Sequence, residues 1–504
     1  MLAPDHLHEL SRATLADLHR GVEKESLRVR PDGSLAATPH PPVLGSALTH
    51  ASITTDFSES QLELITGVHP TPEACVRELT EIHQAVYRAI GDELLWAGSM
   101  PCNLPREDTI PLGRYGTSNV GRAKTVYRTG LSHRYGRRMQ TISGIHYNFS
   151  LPENPGNDAY FALIRNFRRH SWLLLYLFGA SPAVCACFLE GRPHELTRLS
   201  KGTFYLPYAT SLRMGRLGYQ SDAQSALSVS YNSLETYGAS LEAGLTRVHP
   251  PYEAIGVKVG DEYRQLAPTL LQIENEFYGT IRPKRRIFPG ERPLHALRER
   301  GVEYIEVRLM DLDPFQPVGI VPETMRMLDI FLLYCHLCDS PPDSQEELAQ
   351  WSRNRDRVAS RGREPGLTLL RGSEQVTVPE WGLDLLDTWR PIAAALDAAT
   401  GTTAYAQALA DARAAVQDPS RTPSARVLET MARDFDNSYS AFALAQSKRH
   451  RDAILALPFP EALERRYAEL AAESLESQRT IEANDTMPFE LYRQKYLDPA
   501  RLRV

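Results

Sequence analysis

Cysteine is scarce: six among 504 residues, at Cys75, Cys102, Cys185, Cys187, Cys335 and Cys338. So few over such a length exclude a disulfide scaffold and predict reduced thiols in a cytoplasmic setting. Cys335 and Cys338 form a C-x-x-C, but no second pair completes a zinc site. The surrounding "ETMRMLDIFLLYCHLCD" is apolar enough for a buried helix, so core thiols are expected. Long apolar runs are missing as well. The strongest, "SWLLLYLFGASPAVCACF", is broken by Gly and Pro and falls short of the roughly 20 residues a spanning helix needs. The N-terminus shows no basic segment followed by a long apolar one, so neither a secretory signal nor a membrane partner is expected. A basic excess is absent too: 56 Lys and Arg against 62 Asp and Glu, net charge −6, leave no footprint for nucleic acid. There is no G-x-x-x-x-G-K-[ST] loop, no kinase-type glycine loop and no internal repeat, which excludes P-loop enzymes and solenoids.

What is present is a globular composition, 42% hydrophobic and 23% charged, in a chain longer than one core usually serves. Residues 1 to about 20 read as a capped amphipathic helix, with Ser11 or Thr14 as caps. Strands follow. "RPDGS" predicts a turn between strands "ESLRV" and "SLAAT", "SQLELIT" a further strand, and "PTPEACVRELTEIHQAVYRAIGDEL" a helix opened by Pro and Glu. From about residue 385 the text shifts to Ala, Arg and Glu, as in "PIAAALDAATGTTAYAQALADARAAV" and "EALERRYAELAAESLESQR", with "QDPSRTPSAR" as a joint. The expected organisation is a body over residues 1–385 and a helical region over 386–504 packed on it.

Several strands alternate aliphatic with chemically dense polar residues. In "RGVEKESLRV" Glu23 and Glu25 share one face with the aliphatics Leu27 and Val29, opposite Val22, Lys24, Ser26 and Arg28. In "SGIHYNFSL" the line Ile145, Tyr147, Phe149, Leu151 opposes His146 and Asn148; in "EYIEVRLMD" Ile305, Val307 and Leu309 oppose Glu306 and Arg308. "LLQIENEFY" is read the same way, and "TTDFSESQLELIT" adds Asp56 and Glu63. Such strands predict a largely antiparallel sheet with one face on the core and the other lining a water-filled space. Any one of these residues alone fits a solvated strand face. Repetition over several segments instead favours a hard-oxygen site for Mg2+ or Mn2+ built from Glu23, Glu25, Asp56, Glu63, His146 and Glu306. Neighbouring carboxylates need such a charge, because they repel one another and are costly to bury. Basic groups make the other half: Arg128 and Arg134, Arg213, Arg308, and the run Arg282, Lys284, Arg285, Arg286. Cations beside divalent ions suit phosphoryl transfer, whose migrating group spreads negative charge over its oxygens.

The runs "RGVEKESLRV", "LGSALTH", "ITTDF", "YGTSNVGRAKTVYR", "MQTISGIHYNFSLP", "YLPYATSLRM", "LQIENEFY", "IRPKR" and "GVEYIEVR" closely resemble, in order over about residues 20 to 390, glutamate–cysteine ligase of the proteobacterial type. The resemblance implies an α+β fold related to glutamine synthetase and guanidino kinases, a curved, mainly antiparallel sheet forming a funnel. It implies ATP-dependent joining of the L-glutamate γ-carboxyl to the amine of L-cysteine through γ-glutamyl phosphate, the first step of glutathione synthesis, by a monomer. The six residues above would be the metal set. Arg213 and Arg308 would contact glutamate and the phosphoryl group with Arg128 close by, and Arg282, Lys284 and Arg285 would hold ATP. Tyr127, Gln140, Tyr219 and Tyr278 would form the cysteine pocket, where aromatic faces suit a polarisable sulfur. Three rivals remain: a ligase with another amine acceptor, a two-metal phosphohydrolase with water as nucleophile, and a sensor that binds nucleotide or metal without turnover.

Overall fold

The computed structural model of the chain describes residues 4–218, 222–225 and 227–504; Tyr219 lies outside them. Its centre is a sheet of strands His19–Val29 (β1), Ile53–Thr55 (β2), Gln61–Ile65 (β3), Leu94–Leu95 (β4), Ile145–Ser150 (β5), Ile281–Lys284 (β6) and Tyr304–Met310 (β7). The order is β6-β7-β5-β1-β3-β2, with β4 on the far end of β1, and every pairing is antiparallel. It is an open sheet in a mixed α and β fold. Register decides which side chains meet: Glu25 lies opposite Glu63, Glu23 opposite His146, and Arg282 opposite Glu306. Directly opposed residues share a face, so the polar alternates of five strands collect on one side. A register shift in β7 between Val307 and Met310 falls at Arg308; such bulges bend a strand and re-aim a side chain.

The other side is the main core. Val22, Leu62, Leu64, Ile145, Tyr147, Phe149, Ile305 and Val307 are buried there. The helices that complete the account are Arg12–Ala16 (α1), Pro72–Ala89 (α2), Asn119–Tyr135 (α3), Asn157–His170 (α4), Pro293–Arg300 (α5), Pro322–Leu337 (α6), Arg390–Thr400 (α7), Ala404–Gln417 (α8), Tyr439–Leu455 (α9), Glu461–Asn484 (α10) and Phe489–Leu497 (α11). Thr71 caps α2, its hydroxyl accepting from Ala74 N at 3.2 Å, as a Thr-Pro-Glu opening should. Helices after residue 386 bury Ile392, Leu396, Tyr405 and Val416 in the same cluster as the sheet. A buried charge ties them down: Asp329 of α6 pairs with Arg20 at 2.9 Å and accepts hydrogen bonds from Tyr147 at 2.6 Å and Tyr405 at 3.2 Å. Three donors on one carboxylate are what make its burial affordable. Cys335 and Cys338 are buried at the end of α6, and burial pushes both thiols up, Cys338 to about 11. No helix among the described residues is long and apolar enough to cross a membrane.

Four expectations are corrected. The N-terminal helix is broken into a 3-10 turn, Pro4–Glu9, and the short α1 capped by Ser11, because β1 already begins at His19. "SLAAT" is no strand: the turn forms, with Gly33 at φ 84° and Arg30 N donating to Ser34 O, but only Leu35 bridges back to Val29. "LLQIENEFY" is a loop with one 3-10 turn at Glu274–Glu276. Its polar alternates serve contacts, not a ladder: Glu276 takes Arg134 and Tyr135, and Glu274 takes Arg292. Finally, Cys102 and Cys185 are joined in a disulfide, so the thiols are not all reduced in this structure.

Candidate active site

The polar face of the sheet floors a cavity of about 370 Å3. One face of α3 forms a wall, because Val120, Ala123, Lys124, Tyr127, Arg128 and Leu131 recur at helical spacing and all line it. Glu23 receives Asn148 Nδ2 on one oxygen at 2.9 Å and lies 3.1 Å from His146 Nδ1 with the other. Glu25 accepts Gly144 N at 2.8 Å and lies 3.6 Å from His146 Nε2. Ligand atoms of Glu23, Glu63 and His146 fall within 4.8 Å of one another, and so do those of Glu25, Asp56 and Glu63. Two triads thus share Glu63.

Electrostatics separates these carboxylates. Burial, then the charges of Glu23, Asp56 and Glu25, hold the Glu63 carboxyl well above the usual range. Burial and Asp56 raise Glu25 as well. In Glu23 burial is the largest influence and acts upward, but the His146 hydrogen bond together with the charges of His146 and Lys284 leaves it lowered. Glu306 is held well below the usual range, because Lys284, Arg308, His146 and Arg282 together overcome its burial. Four crowded carboxylates and one imidazole fit a hard divalent cation, which would replace mutual repulsion with attraction. The buried Asn148 Oδ1, which lacks a hydrogen-bond partner, is a further oxygen beside that set.

The cations divide. Arg308 Nη1 donates to Glu306 at 3.1 Å and lies 3.3 Å from His146 Nδ1, and Lys284 donates to Glu306 at 3.1 Å. Arg282 lies 3.9 Å from Glu306 and donates to the carbonyls of Asn275 and Phe277. Arg128 donates to Asp56 O and sits 4.5 Å above the Tyr115 ring. Arg213 is not among the lining residues: it is buried, with Nη2 on Arg308 O at 2.9 Å and Nη1 3.8 Å from Asp311. Gly144 permits that packing, since a Cβ there would collide with the Arg213 guanidinium. Arg285 is also outside the cavity, 3.6 Å from Glu303. Arg134 is committed to Glu276 and to Gln265.

Tyr127, Gln140 and Tyr278 line one part of the cavity together, Gln140 Nε2 donating to Tyr278 OH at 2.6 Å. Tyr278 packs edge-on to Tyr135, whose hydroxyl donates to Glu276 at 2.8 Å. This explains the conformation of "QIENEF": its acids anchor the aromatic wall. Sequence reasoning missed Lys124, whose signal was available in the spacing of "GRAKTVYR". Its Nζ lies 5.0 Å above Tyr115, and burial, then Arg128, lower it to about 8. It also missed Tyr492 and Tyr496 of α11, which line the cavity from the far end of the chain and carried no signal beyond their four-residue spacing.

Residues 6–358 match the family model described as glutamate–cysteine ligase. A glutamate–cysteine ligase of Alcanivorax borkumensis is 48% identical over 506 residues, 96% of each chain. One from Pseudomonas putida is 49% identical over 489 residues, 94% of this chain and 93% of its own. The crystal structure of the Francisella tularensis glutamate–cysteine ligase, in complex with AMP, superposes with a TM-score of 0.90 at 35% identity, covering 96% of this chain and 98% of that one. A bifunctional glutathione synthetase from Pasteurella multocida, 24% identical and 57% covered, shares the fold at a TM-score of 0.64. With a family model over most of its length and relatives near half identity end to end, this chain belongs to the glutamate–cysteine ligase family.

Proposed function

We propose that the protein joins the γ-carboxyl of L-glutamate to the amine of L-cysteine at the expense of ATP, through γ-glutamyl phosphate, releasing γ-glutamylcysteine, ADP and phosphate as the first step of glutathione synthesis. The observation that carries this is family membership along the whole chain, at a site where carboxylates and cations converge. On this reading Glu23, Glu25, Asp56, Glu63, His146 and Glu306 hold Mg2+ (or Mn2+), which would neutralise the polyphosphate and the γ-carboxylate as they approach. Lys284 and Arg282 bind phosphate oxygens, and Arg308 and Arg128 stabilise charge on the migrating group. Arg213 fixes the strand end that carries Arg308. Tyr127, Gln140, Tyr278 and Tyr219 enclose the cysteine side chain, and the enclosing walls, read as a funnel of the glutamine synthetase kind, keep water from the acyl phosphate. Arg285 flanks the nucleotide. Residues 1–385 form the catalytic body and 386–504 a helical region packed on it, in a cytoplasmic monomer.

Phosphate release from ATP tests this with glutamate present and a panel of amines as second substrate. Release that requires both glutamate and cysteine is expected, with one label per turnover passing from γ-carboxylate heavy oxygen to phosphate. Release in the absence of both amino acids would make the protein a phosphohydrolase, and AMP with pyrophosphate would rule out the acyl phosphate.

A further inference from the structure

Lys124, Arg128, Arg282, Lys284 and Arg308 line the cavity. All but one of these cations donate to the protein. Lys284 and Arg308 donate to Glu306, Arg282 to the carbonyls of Asn275 and Phe277, and Arg128 to those of Asp56 and Lys124. Among the described residues the Lys124 ammonium has neither a hydrogen-bond acceptor nor an ion-pair partner; its contact is with the Tyr115 ring, 5.0 Å from Nζ to the centroid. On α3 it precedes Tyr127 by three residues and Arg128 by four, which makes the three side chains neighbours on the helix face that lines the cavity. The other proton acceptors there are committed. The carboxylates crowd into the two triads, His146 lies between Glu23 and Glu25, and burial makes the hydroxyls of Tyr127 and Tyr278 harder to ionise. On Lys124 burial acts the other way: with the charge of Arg128 it loosens the ammonium proton, to about 8, against the opposing charge of Glu63.

We infer that Lys124 is the base that takes a proton from the amine of the second substrate before it attacks. The inference rests on the ligase reading and supplies a step which that reading leaves open. An α-amino group is largely protonated at neutral pH and then has no lone pair to offer. Neutral Lys124 Nζ removes one proton and becomes an ammonium. The freed lone pair bonds to the γ-carbon of the acyl phosphate, the carbon–oxygen bond to phosphate breaks, and its electron pair leaves with phosphate. A second nitrogen proton passes to the departing phosphate, which completes the amide, and Lys124 returns its own proton to solvent as product leaves. Position agrees with the task. On the ligase reading Tyr127 flanks the cysteine side chain and Arg128 the migrating group, so a base one turn before them on the same helix stands beside both partners of the new bond. The ammonium that forms rests over the Tyr115 ring, an attractive contact for a cation.

The test sets cysteine against hydroxylamine, a small amine already unprotonated at neutral pH, which needs no base to free its lone pair. With ATP and glutamate the wild type should form γ-glutamylcysteine from the first and γ-glutamyl hydroxamate from the second. Lys124→Gln is expected to slow the cysteine reaction about 100-fold, within what a positioned base contributes, while hydroxamate formation stays within about threefold. Lys124→Arg keeps the charge but cannot give up a proton, and should be as slow as Lys124→Gln with cysteine. The wild-type kcat for cysteine should rise with pH as Lys124 deprotonates near 8, and in both variants that limb should move upward. Recovery of the cysteine rate in Lys124→Arg would overturn the inference, because the residue would then act by its charge. Equal loss of both reactions, loss of neither, or an unmoved pH limb would overturn it too, and leave the ligase reading standing. A wild type that formed neither product would remove the ligase reading itself.

Discussion

Glu63→Gln should have opposite effects on stability with and without divalent cations. The carboxylate is shared by two triads whose ligand atoms lie within 4.8 Å, and burial, then the charges of Glu23, Asp56 and Glu25, all oppose its ionisation. At that separation one ionised pair costs about 3.5 kcal/mol at an effective dielectric of 20, and partial protonation relieves part of it. Because the folded state holds the Glu63 proton more tightly than the unfolded chain does, this group's contribution to stability falls as pH rises from the unfolded carboxyl value through the folded one. A neutral glutamine of the same shape removes that loss. The metal-free variant should therefore be more stable than wild type at pH 7 by about 1–3 kcal/mol.

Addition of Mg2+ should reverse the order. A cation bound only by the folded state stabilises wild type by about 2.7 kcal/mol at one hundred times its Kd, whereas the variant has lost the carboxylate that both triads use. Scanning calorimetry in chelator and in excess Mg2+ reads the crossing. For a chain of 504 residues each kcal/mol is worth about 1 °C in Tm, from an unfolding entropy that scales with length. Shifts of a few degrees are expected: the variant above wild type in chelator, below it in Mg2+, and nearly without turnover. A variant less stable in chelator, or one that gains as much from Mg2+ as wild type, would refute the metal assignment.

Gln140→Ala removes the donor to Tyr278 OH and should raise KM for cysteine about tenfold, the worth of one lost hydrogen bond, with KM for ATP unchanged; equal rises in both would take Gln140 out of the acceptor pocket. His450 of α9 is buried and bonded through Nε2 to Pro314 O, and burial lowers it to about 4. Since the unfolded imidazole takes its proton near pH 6.5 and the folded one near 4, stability is full above that window and lost as pH falls through it, about 2 kcal/mol by pH 5. His450→Gln should flatten the thermal stability profile between pH 7 and 5, and an unaltered slope would assign the acid sensitivity elsewhere. Replacing Cys335 and Cys338 with Ala should lower stability by about 1–2 kcal/mol and leave kcat unchanged; zinc retained by the protein and lost in the variant would contradict the view of them as core thiols.

The alternation of β3, β5 and β7 placed Glu63, His146, Glu306 and Arg308 on polar faces, because a strand has only two sides and the aliphatic one is committed to the core, whereas in β1 the period put Glu23 and Glu25 on the same side as the aliphatics Leu27 and Val29. Helix α2 was equally legible, its cap and periodicity being local. The same alternation misled in "LLQIENEFY", since Gln272, Glu274 and Glu276 look alike in sequence whether they face solvent or accept from Leu266 N, Arg292 and Arg134. Register, which sets Glu25 against Glu63 and Glu23 against His146, depends on which strands pair and is invisible within any one of them. The Cys102 to Cys185 link spans 83 residues, and Tyr492 and Tyr496 reach the cavity only because α11 packs on α3. Local chemistry is thus written in the order of residues along a segment. Which distant segments share a cavity is decided by burial of their apolar faces against one another, a long-range outcome with no local signature.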